Sequence, residues 1–316
     1  DGQQRLTAIR DFAGGAYGVD GGIQPFAPEI EALDGLRFDR LPTNVRKNFM
    51  RFTIRLLTLH NFQPDEPHEL FFRLNQPTNL TEAEKRNAFI GGPRNQIREL
   101  AKWAEHHGMS RDTIGFSNSR MAYDDLLARF LVTLEQANLT EKITAQRVTD
   151  RYRTNKAFSE DLLKRARTSV RFLVDTAKVN AEASAFKPNK ATAHTWLCMV
   201  SELLNRDDLD RLREPLAQTM GFVESNRSSP QGRKSAVAPV LAIFNDRATS
   251  RVADVSSVIL RDLTAWMTFA HLYPALEVPD DHPLALARTA WPSLDSSESG
   301  LGSFAVAARW GENGWI

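Results

Sequence analysis

The sequence has one cysteine in 316 residues, Cys198. That excludes an intrachain disulfide, and its apolar setting, Trp196-Leu197-Cys198-Met199-Val200, predicts a buried thiol. No apolar run approaches the ~18 residues that a membrane-spanning helix requires, and no signal-peptide pattern is present. These absences suit a cytoplasmic protein. Charge of one sign is lacking too: 40 basic residues stand against 39 acidic ones, a formal net charge of +1. Global charge therefore steers no nucleic acid to the protein, and any such surface has to be a local patch. Walker A, G-x-G-x-x-G and G-x-S-x-G motifs are absent, and no repeat of 20–50 residues is visible. The histidines show neither H-x-x-x-H nor Cys–His metal spacing. What remains is a composition ordinary for a soluble globular protein, on a chain long enough for two domains.

Asp1-Gly2-Gln3-Gln4-Arg5 is the most informative stretch. Leu6, Ile9, Phe12 and Ala13 follow it at helical spacing until Gly14-Gly15 stops the pattern, so the pentapeptide reads as a turn feeding a helix. Free backbone N–H groups and the positive end of the helix dipole favour an anion there. Gln3 and Gln4 can orient oxygens, and Arg5 can clamp two of them. An arginine in a helix's first turn opposes the dipole, a mismatch that an anionic partner relieves. A phosphate site is one reading, and an Asp-Gly turn with a polar helix start is the other. Asp1 either helps to hold a metal on that phosphate or caps the turn.

A second stretch runs Leu70-Phe71-Phe72-Arg73-Leu74-Asn75-Gln76-Pro77-Thr78-Asn79-Leu80-Thr81-Glu82-Ala83-Glu84-Lys85-Arg86-Asn87-Ala88. Residues 66–74 have a helical period, and Asn75 either caps that helix or holds a phosphate or ribose. Thr81-x-x-Glu84 is a capping box for the next helix, which explains Glu84 without chemistry. Arg86 is either a second phosphate clamp or a solvated surface arginine.

Together the two stretches resemble the ParB-like NTPase domain of GmrSD-type modification-dependent restriction systems and related phage-defence proteins. That family carries a DGQQR-L-T signature and, further along, F-x-x-x-N…L-(T/N)-x-x-E-x-R-N-A. Here Phe72 stands three before Asn75, or Phe71 four before it, and Leu80, Thr81, Glu84, Arg86, Asn87 and Ala88 fit the rest. The resemblance covers about residues 1–105, and the remainder resembles the family's variable helical region only loosely. It implies a fold similar to ParB and sulfiredoxin, and an NTP phosphate at Asp1–Arg5. Gly2, Gln3, Gln4, Arg5, Asn75, Arg86 and Asn87 would be the nucleotide-binding residues. Asp1, Gln4 and Arg5 would stand in catalytic positions, with Mg²⁺ at Asp1 and Glu84. The implied role is NTP hydrolysis, or NTP-dependent switching, in defence against foreign DNA.

Two departures qualify the match. The family's stretch before DGQQR, with strands and a Tyr-Gln-Arg-like motif, is not in this sequence, which reads as N-terminally incomplete. The His-Asn-His nuclease of many relatives is not found either, so a partner nuclease is expected. A non-hydrolysing switch or DNA-binding adaptor is the main alternative, and a remnant that binds nothing is a third.

The expected fold class is α+β, predominantly α: a small ParB-like domain over 1–107, a helical domain over 118–292 and a loose tail over 293–316. Residues 36–41 and 52–59 read as strands, and 94–106 as the helix that closes the first domain. Further helices are expected over 120–137, 143–153, 159–179, 190–205, 209–225, 235–248 and 254–272. The glycine-rich stretch 14–22 reads as a connector or a ligand cover. Lys164, Arg167 and Arg171 share a helix face with Glu160 and Asp175, which reads as an ion-paired solvated face. The loop 226–234, with Arg227, Arg233 and Lys234 locally unpaired, is the candidate DNA contact, against an ordinary surface loop.

Overall fold

Leu6, Ile9 and Phe12 recur at helical spacing, and in the computed structural model they lie on helix α1, Gln3–Ala13, capped by Gly14. The helix belongs to the first of two units that the chain forms, residues 1–71 and 72–316. The structure describes all residues except 1, 23–26, 55–60, 62, 64–65, 67–69, 71–79, 182–185, 229–235 and 313, and all described side chains except those of 181 and 294–297. The protein is predominantly helical, and the described residues contain no strand.

In the first unit two short helices follow α1: α2, Pro28–Glu31, and α3, Thr43–Arg51. A small aromatic cluster joins α1 to α3. Phe12 meets Phe38 and Phe49 edge-on, with ring centroids 5.9 and 5.3 Å apart, close to the favoured geometry for such rings. The expected strand 36–41 is instead an isolated bridge, Gly18 to Arg37, followed by a 3₁₀ turn over Phe38–Arg40. No neighbouring strand among the described residues offers it a ladder. A 3₁₀ turn, in which residues three apart eclipse, puts Phe38 and Leu41 on one side instead. Of the expected strand 52–59, residues 52–54 are irregular and the rest lie outside the described residues.

The glycine-rich stretch is held against residues 34–37. Val19 N–H donates to the Leu36 carbonyl and Gly35 N–H to that of Val19. A Cβ on Gly18 would lie 2.6 Å from the Gly35 oxygen, so only glycine fits this crossing. Helix α1 buries none of its residues, and Leu6 and Ile9 stay exposed.

The second unit holds the large core. Its helices are α4, Glu82–Arg86, α5, Gly92–His106, α6, Arg111–Ile114, and α7, Ala122–Gln136. Then come α8, Ala145–Arg153, α9, Glu160–Ala181, α10, Lys190–Asn205, and α11, Leu209–Asn226. The last are α12, Ala238–Thr249, α13, Val255–Leu272, α14, Pro283–Thr289, and α15, Ser297–Ala307. Side-chain caps fix the starts of several. The Thr144 hydroxyl accepts from Arg147 N–H, and the Asn189 carboxamide accepts from both Ala191 and Thr192. Helix α13 is buried on nearly every face from Leu260 to Ala270 and is packed by α10, α11, α12, α14 and α15, so it forms the axis of the unit.

Two boundaries differ from the sequence expectation. The units part at 71/72 rather than near 107. Helix α5, expected to close the first domain, packs on α7, α8 and α9 and buries Ile97, Leu100, Ala101 and Ala104 in the second unit's core. The stretch 293–316, expected to be loose, carries α15 and three buried terminal residues, Trp310, Trp315 and Ile316. Its polar composition hid those few large apolar anchors. Cys198 is buried as expected, and burial pushes its thiol pKa up.

Three tryptophans in this core donate to carboxylates. Trp196 Nε1 reaches Glu224 at 2.7 Å, Trp266 Nε1 reaches Glu202 at 2.7 Å and Trp310 Nε1 reaches Asp262 at 2.8 Å. A buried indole N–H needs an acceptor, and these carboxylates supply it.

Candidate functional site

The described part of the pentapeptide lies at the start of α1. Gly2 is the N-cap residue and gives no side-chain cap, and the first turn holds no acidic residue. The first internal bond of the helix runs from Leu6 N–H to the Gly2 carbonyl, at 2.9 Å. The N–H groups of Gln3, Gln4 and Arg5 therefore have no partner among the described residues. The side chains of Gln3, Gln4 and Arg5 are exposed. Three open donors and a guanidinium at the positive end of an 11-residue helix can receive a phosphate or carboxylate group. Asp1 and Asn75, two further expected site residues, lie outside the described residues.

The second unit brings Glu84, Arg86 and Asn87 together on α4 and its C-cap. Their surroundings explain why the sequence folds this way locally. The Thr81 hydroxyl accepts from Glu84 N–H, and Glu84 Oε2 accepts from Thr81 N–H at 2.7 Å, which closes the expected capping box. Arg120 then clamps the same carboxylate, with Nη2 at 2.9 Å from Oε2 and Nε at 3.3 Å from Oε1. The Arg120 hydrogen bond is the main reason that the Glu84 carboxyl sits below its usual pKa, against the opposing effect of burial.

Arg120 holds this position from a left-handed backbone, φ +55°, followed by Met121 at φ +61°. Two such non-glycine residues in succession are costly, and strain of this kind concentrates where a loop is tightly determined. Both Glu84 oxygens thus have protein partners, the cap at Oε2 and Arg120 at both. The described residues also contain no group of three or more metal-ligating side chains.

Arg86 departs from both expectations, solvated arginine and phosphate clamp. It is buried, 1% exposed, and its Nη2 lies 2.6 Å from Asp125 Oδ1 on α7. The guanidinium carbon stands 5.7 Å from the Tyr152 ring centroid on α8. Asn87 turns its side-chain oxygen to Arg98 Nη1, 3.0 Å away, and its carbonyl to Arg94 Nε. The R-N pair of the motif thus ties α4 to α5, α7 and α8. Periodicity could not reveal this, because the partners sit on other helices, Asp125 39 residues from Arg86.

Glu84→Gln tests the capping role. The glutamine keeps an acceptor for Thr81 N–H and loses the charge facing Arg120. Because Arg120 is half exposed, we expect a loss of stability of under about 1 kcal/mol in urea unfolding. Glu84→Ala, which removes the cap as well, should cost about 1 kcal/mol more. A glutamine variant as damaged as the alanine variant would contradict this division of roles.

The expected DNA contact also changes. Arg227 is not locally unpaired: Nε donates to Glu224 at 2.8 Å, Nη1 to the Asn245 side chain at 2.8 Å and Nη2 to the Lys187 carbonyl. It neutralises the carboxylate that accepts from Trp196, which fixes it as a structural residue. Arg233 and Lys234 lie outside the described residues. On α9 the ion-paired face is partly present, with Arg171 3.5 Å from Asp175.

The sequence reading missed a cavity in the second unit. It lies between α7, α10 and the start of α13 and has a volume of about 230 Å³. Asp125 on its wall takes three cations: Arg86 at 2.6 Å, Arg129 at 3.3 Å and Lys190 at 3.7 Å. Burial raises the Asp125 pKa, but the facing cations Arg129, Arg86 and Lys190 outweigh that and hold it below its usual value. His194, also on the wall, is kept neutral by burial and by Arg261 and Arg129, its pKa pushed down to about 3. The Thr133 hydroxyl donates to the Arg129 carbonyl and so faces His194 Nε2 as an acceptor, which assigns the imidazole proton to Nε2. Nδ1 is then the acceptor for the Cys198 thiol, 3.7 Å away.

The chain is thus a predominantly helical protein with an open, cationic helix N-terminus in one unit and an arginine-rich interlock in the other. Compared with known protein families, curated proteins and solved structures, it matches none.

Proposed function

We propose that the chain is the nucleotide-binding component of a DNA-modification-dependent restriction or phage-defence system, with an NTP phosphate held at the start of α1. The observation that carries this reading is the open N-terminus of α1. Gln3, Gln4 and Arg5 present N–H groups that have no partner among the described residues, beside an exposed guanidinium, and the first turn of the helix itself carries no acidic residue. The signatures around 1–7 and 70–88 supply the family resemblance and, through it, the ParB-like fold, the NTP and the defence context.

In this reading the N–H groups and Arg5 neutralise phosphate charge, and Gln3 and Gln4 orient oxygens or the attacking water. Asp1 and Asn75 keep the supporting roles that the resemblance gives them. Arg86, Asn87 and Glu84 act as the framework that holds the second signature rigid, instead of as direct ligands. Strand cleavage falls to a partner nuclease. A switch that binds NTP without hydrolysing it fits the same geometry, and phosphate release separates the two.

The test is binding of ATP and GTP by the whole chain, with released phosphate as a second readout. Arg5→Ala should weaken binding roughly tenfold or more, the effect of losing a charge-assisted bidentate contact, with an unchanged melting curve. Unaltered affinity in that variant, or no nucleotide binding in the parent, would overturn the proposal.

A further inference from the structure

The cavity of the second unit is lined by two kinds of group. One part of its wall is aliphatic, from Leu126, Leu139, Ile143, Val252, Val255 and Val258. The other part is cationic. Arg261 on α13 is 1% exposed and reaches the cavity wall, yet no carboxylate lies within ion-pair distance of it among the described residues. Its Nε donates to the Thr195 hydroxyl at 3.2 Å, and its Nη1 to the Arg247 and Val252 carbonyls at 2.6 and 3.0 Å. Nη2 is left without a partner among the described residues. A buried guanidinium held by neutral oxygens alone keeps its full charge uncompensated, which is costly unless an anion completes the site.

The rest of the wall adds positive charge. Arg129 and Lys190 share the single carboxylate of Asp125, which already carries Arg86 at 2.6 Å. The other acidic and basic wall residues cancel locally, since Lys142 pairs with Asp254 and Glu141 with Arg147. His194 is neutral and hydrogen-bonded on both ring nitrogens, so it does not offset the excess. Beyond those locally paired groups, three cations on the wall, Arg129, Lys190 and Arg261, thus face the one carboxylate of Asp125, which Arg86 already engages from behind the wall.

We propose that this cavity is a binding site for a small organic anion, with its phosphate or carboxylate head at Arg261, Arg129 and Lys190 and its apolar body against the aliphatic wall. The size agrees, since about 230 Å³ admits a single ring with one charged substituent but not a nucleoside triphosphate. The site lies wholly within residues 72–316 and is separate from the nucleotide site proposed at α1.

Phenyl phosphate and phenylacetate distinguish the two head groups, and phenol serves as the uncharged control. Each is titrated into the whole protein while the methyl resonances of Ile143, Val255 and Val258 are followed by NMR. At least one anion should shift these methyls with saturation, and phenol should bind roughly tenfold or more weakly, as expected when a charge-assisted contact is lost. Lys190→Ala, at a half-exposed position, should keep the fold and weaken the anion several-fold. Ala191→Trp, which fills the space from the wall, should abolish the shifts while the melting curve is retained. Arg5→Ala should leave them untouched, so failure of the nucleotide reading would not disturb this result. No saturable shift with either anion, or equal binding of phenol, would overturn the proposal. So would full affinity in a folded Ala191→Trp variant.

Discussion

Asp125→Ala is expected to destabilise the protein by about 3–5 kcal/mol, a large share of the stability of an ordinary domain. The reason is Arg86. It is 1% exposed, and its Nε and Nη1 have no partner, so Asp125 Oδ1 at 2.6 Å is its one ion-pair partner among the described residues. Removing the carboxylate leaves a buried guanidinium without a counter-charge. Replacing both members with apolar residues, as in Arg86→Met with Asp125→Leu, should recover most of the loss. Lys190→Ala, which removes a half-exposed partner of the same carboxylate, should cost under about 1 kcal/mol. Urea unfolding of the four proteins measures the series. A loss below about 1 kcal/mol for Asp125→Ala would mean that Arg86 finds water or another partner when the carboxylate is gone. The pH sign is set by the lowered pKa of Asp125. Its contribution is present above the ordinary value of 3.8 and lost as pH falls through the folded value.

The second large effect has the opposite sign. Glu202 on α10 and Asp262 on α13 are both fully buried, and each accepts one tryptophan N–H. Each also keeps one oxygen, Glu202 Oε1 and Asp262 Oδ1, without a partner among the described residues. A proton retained on the pair would supply a donor for them. Burial, together with the neighbouring Asp262, holds Glu202 protonated well above its usual range. Burial also pushes Asp262 up to about 7, against the lowering effect of the Trp310 hydrogen bond. A raised carboxyl contributes stability that is fully present below the unfolded pKa and lost as pH rises through the folded one.

Asp262 should therefore weaken the fold as pH rises from about 4 towards 7, by several kcal/mol at the ~1.4 kcal/mol that each pKa unit carries. Asp262→Asn keeps an acceptor for Trp310 and cannot ionise. The variant should gain on the parent steadily across that window and stay level above it. Stability measured by urea at successive pH values gives the difference curve. A curve that is flat from pH 4 to 8 would refute the retained proton. Because Trp310 holds the 308–316 segment to the core through Asp262, protease sensitivity of that segment should rise over the same window in the parent alone.

Much of the helical layout was legible in the residues themselves. The capping box at Thr81 and Glu84 formed as written, and the helices expected at 190–205 and 254–272 agree with α10 and α13 to within a residue. Caps and 3.6-residue periods are local, so a single stretch of sequence contains all the information they need. The polar start of α1 was legible for the same reason. The strand at 36–41 was not, because a strand exists only through a neighbour, and among the described residues only the isolated bridge from Gly18 to Arg37 meets it.

Tertiary structure alone decided the charges. Arg86, Arg227 and Arg261 look alike in sequence as polar residues near loops or helix ends. Their roles depend on which residues the fold brings to them: Asp125 for Arg86, Glu224 and Asn245 for Arg227, and, among the described residues, no carboxylate at ion-pair distance for Arg261. The boundary at 71/72 was likewise decided by which core α5 joined, and the cavity by the gap left where α7, α10 and α13 meet. The physical reason is one of range. Helix formation is settled by backbone bonds over three or four residues. The worth of a charge depends on its burial and on the partners that the fold brings within a few ångströms.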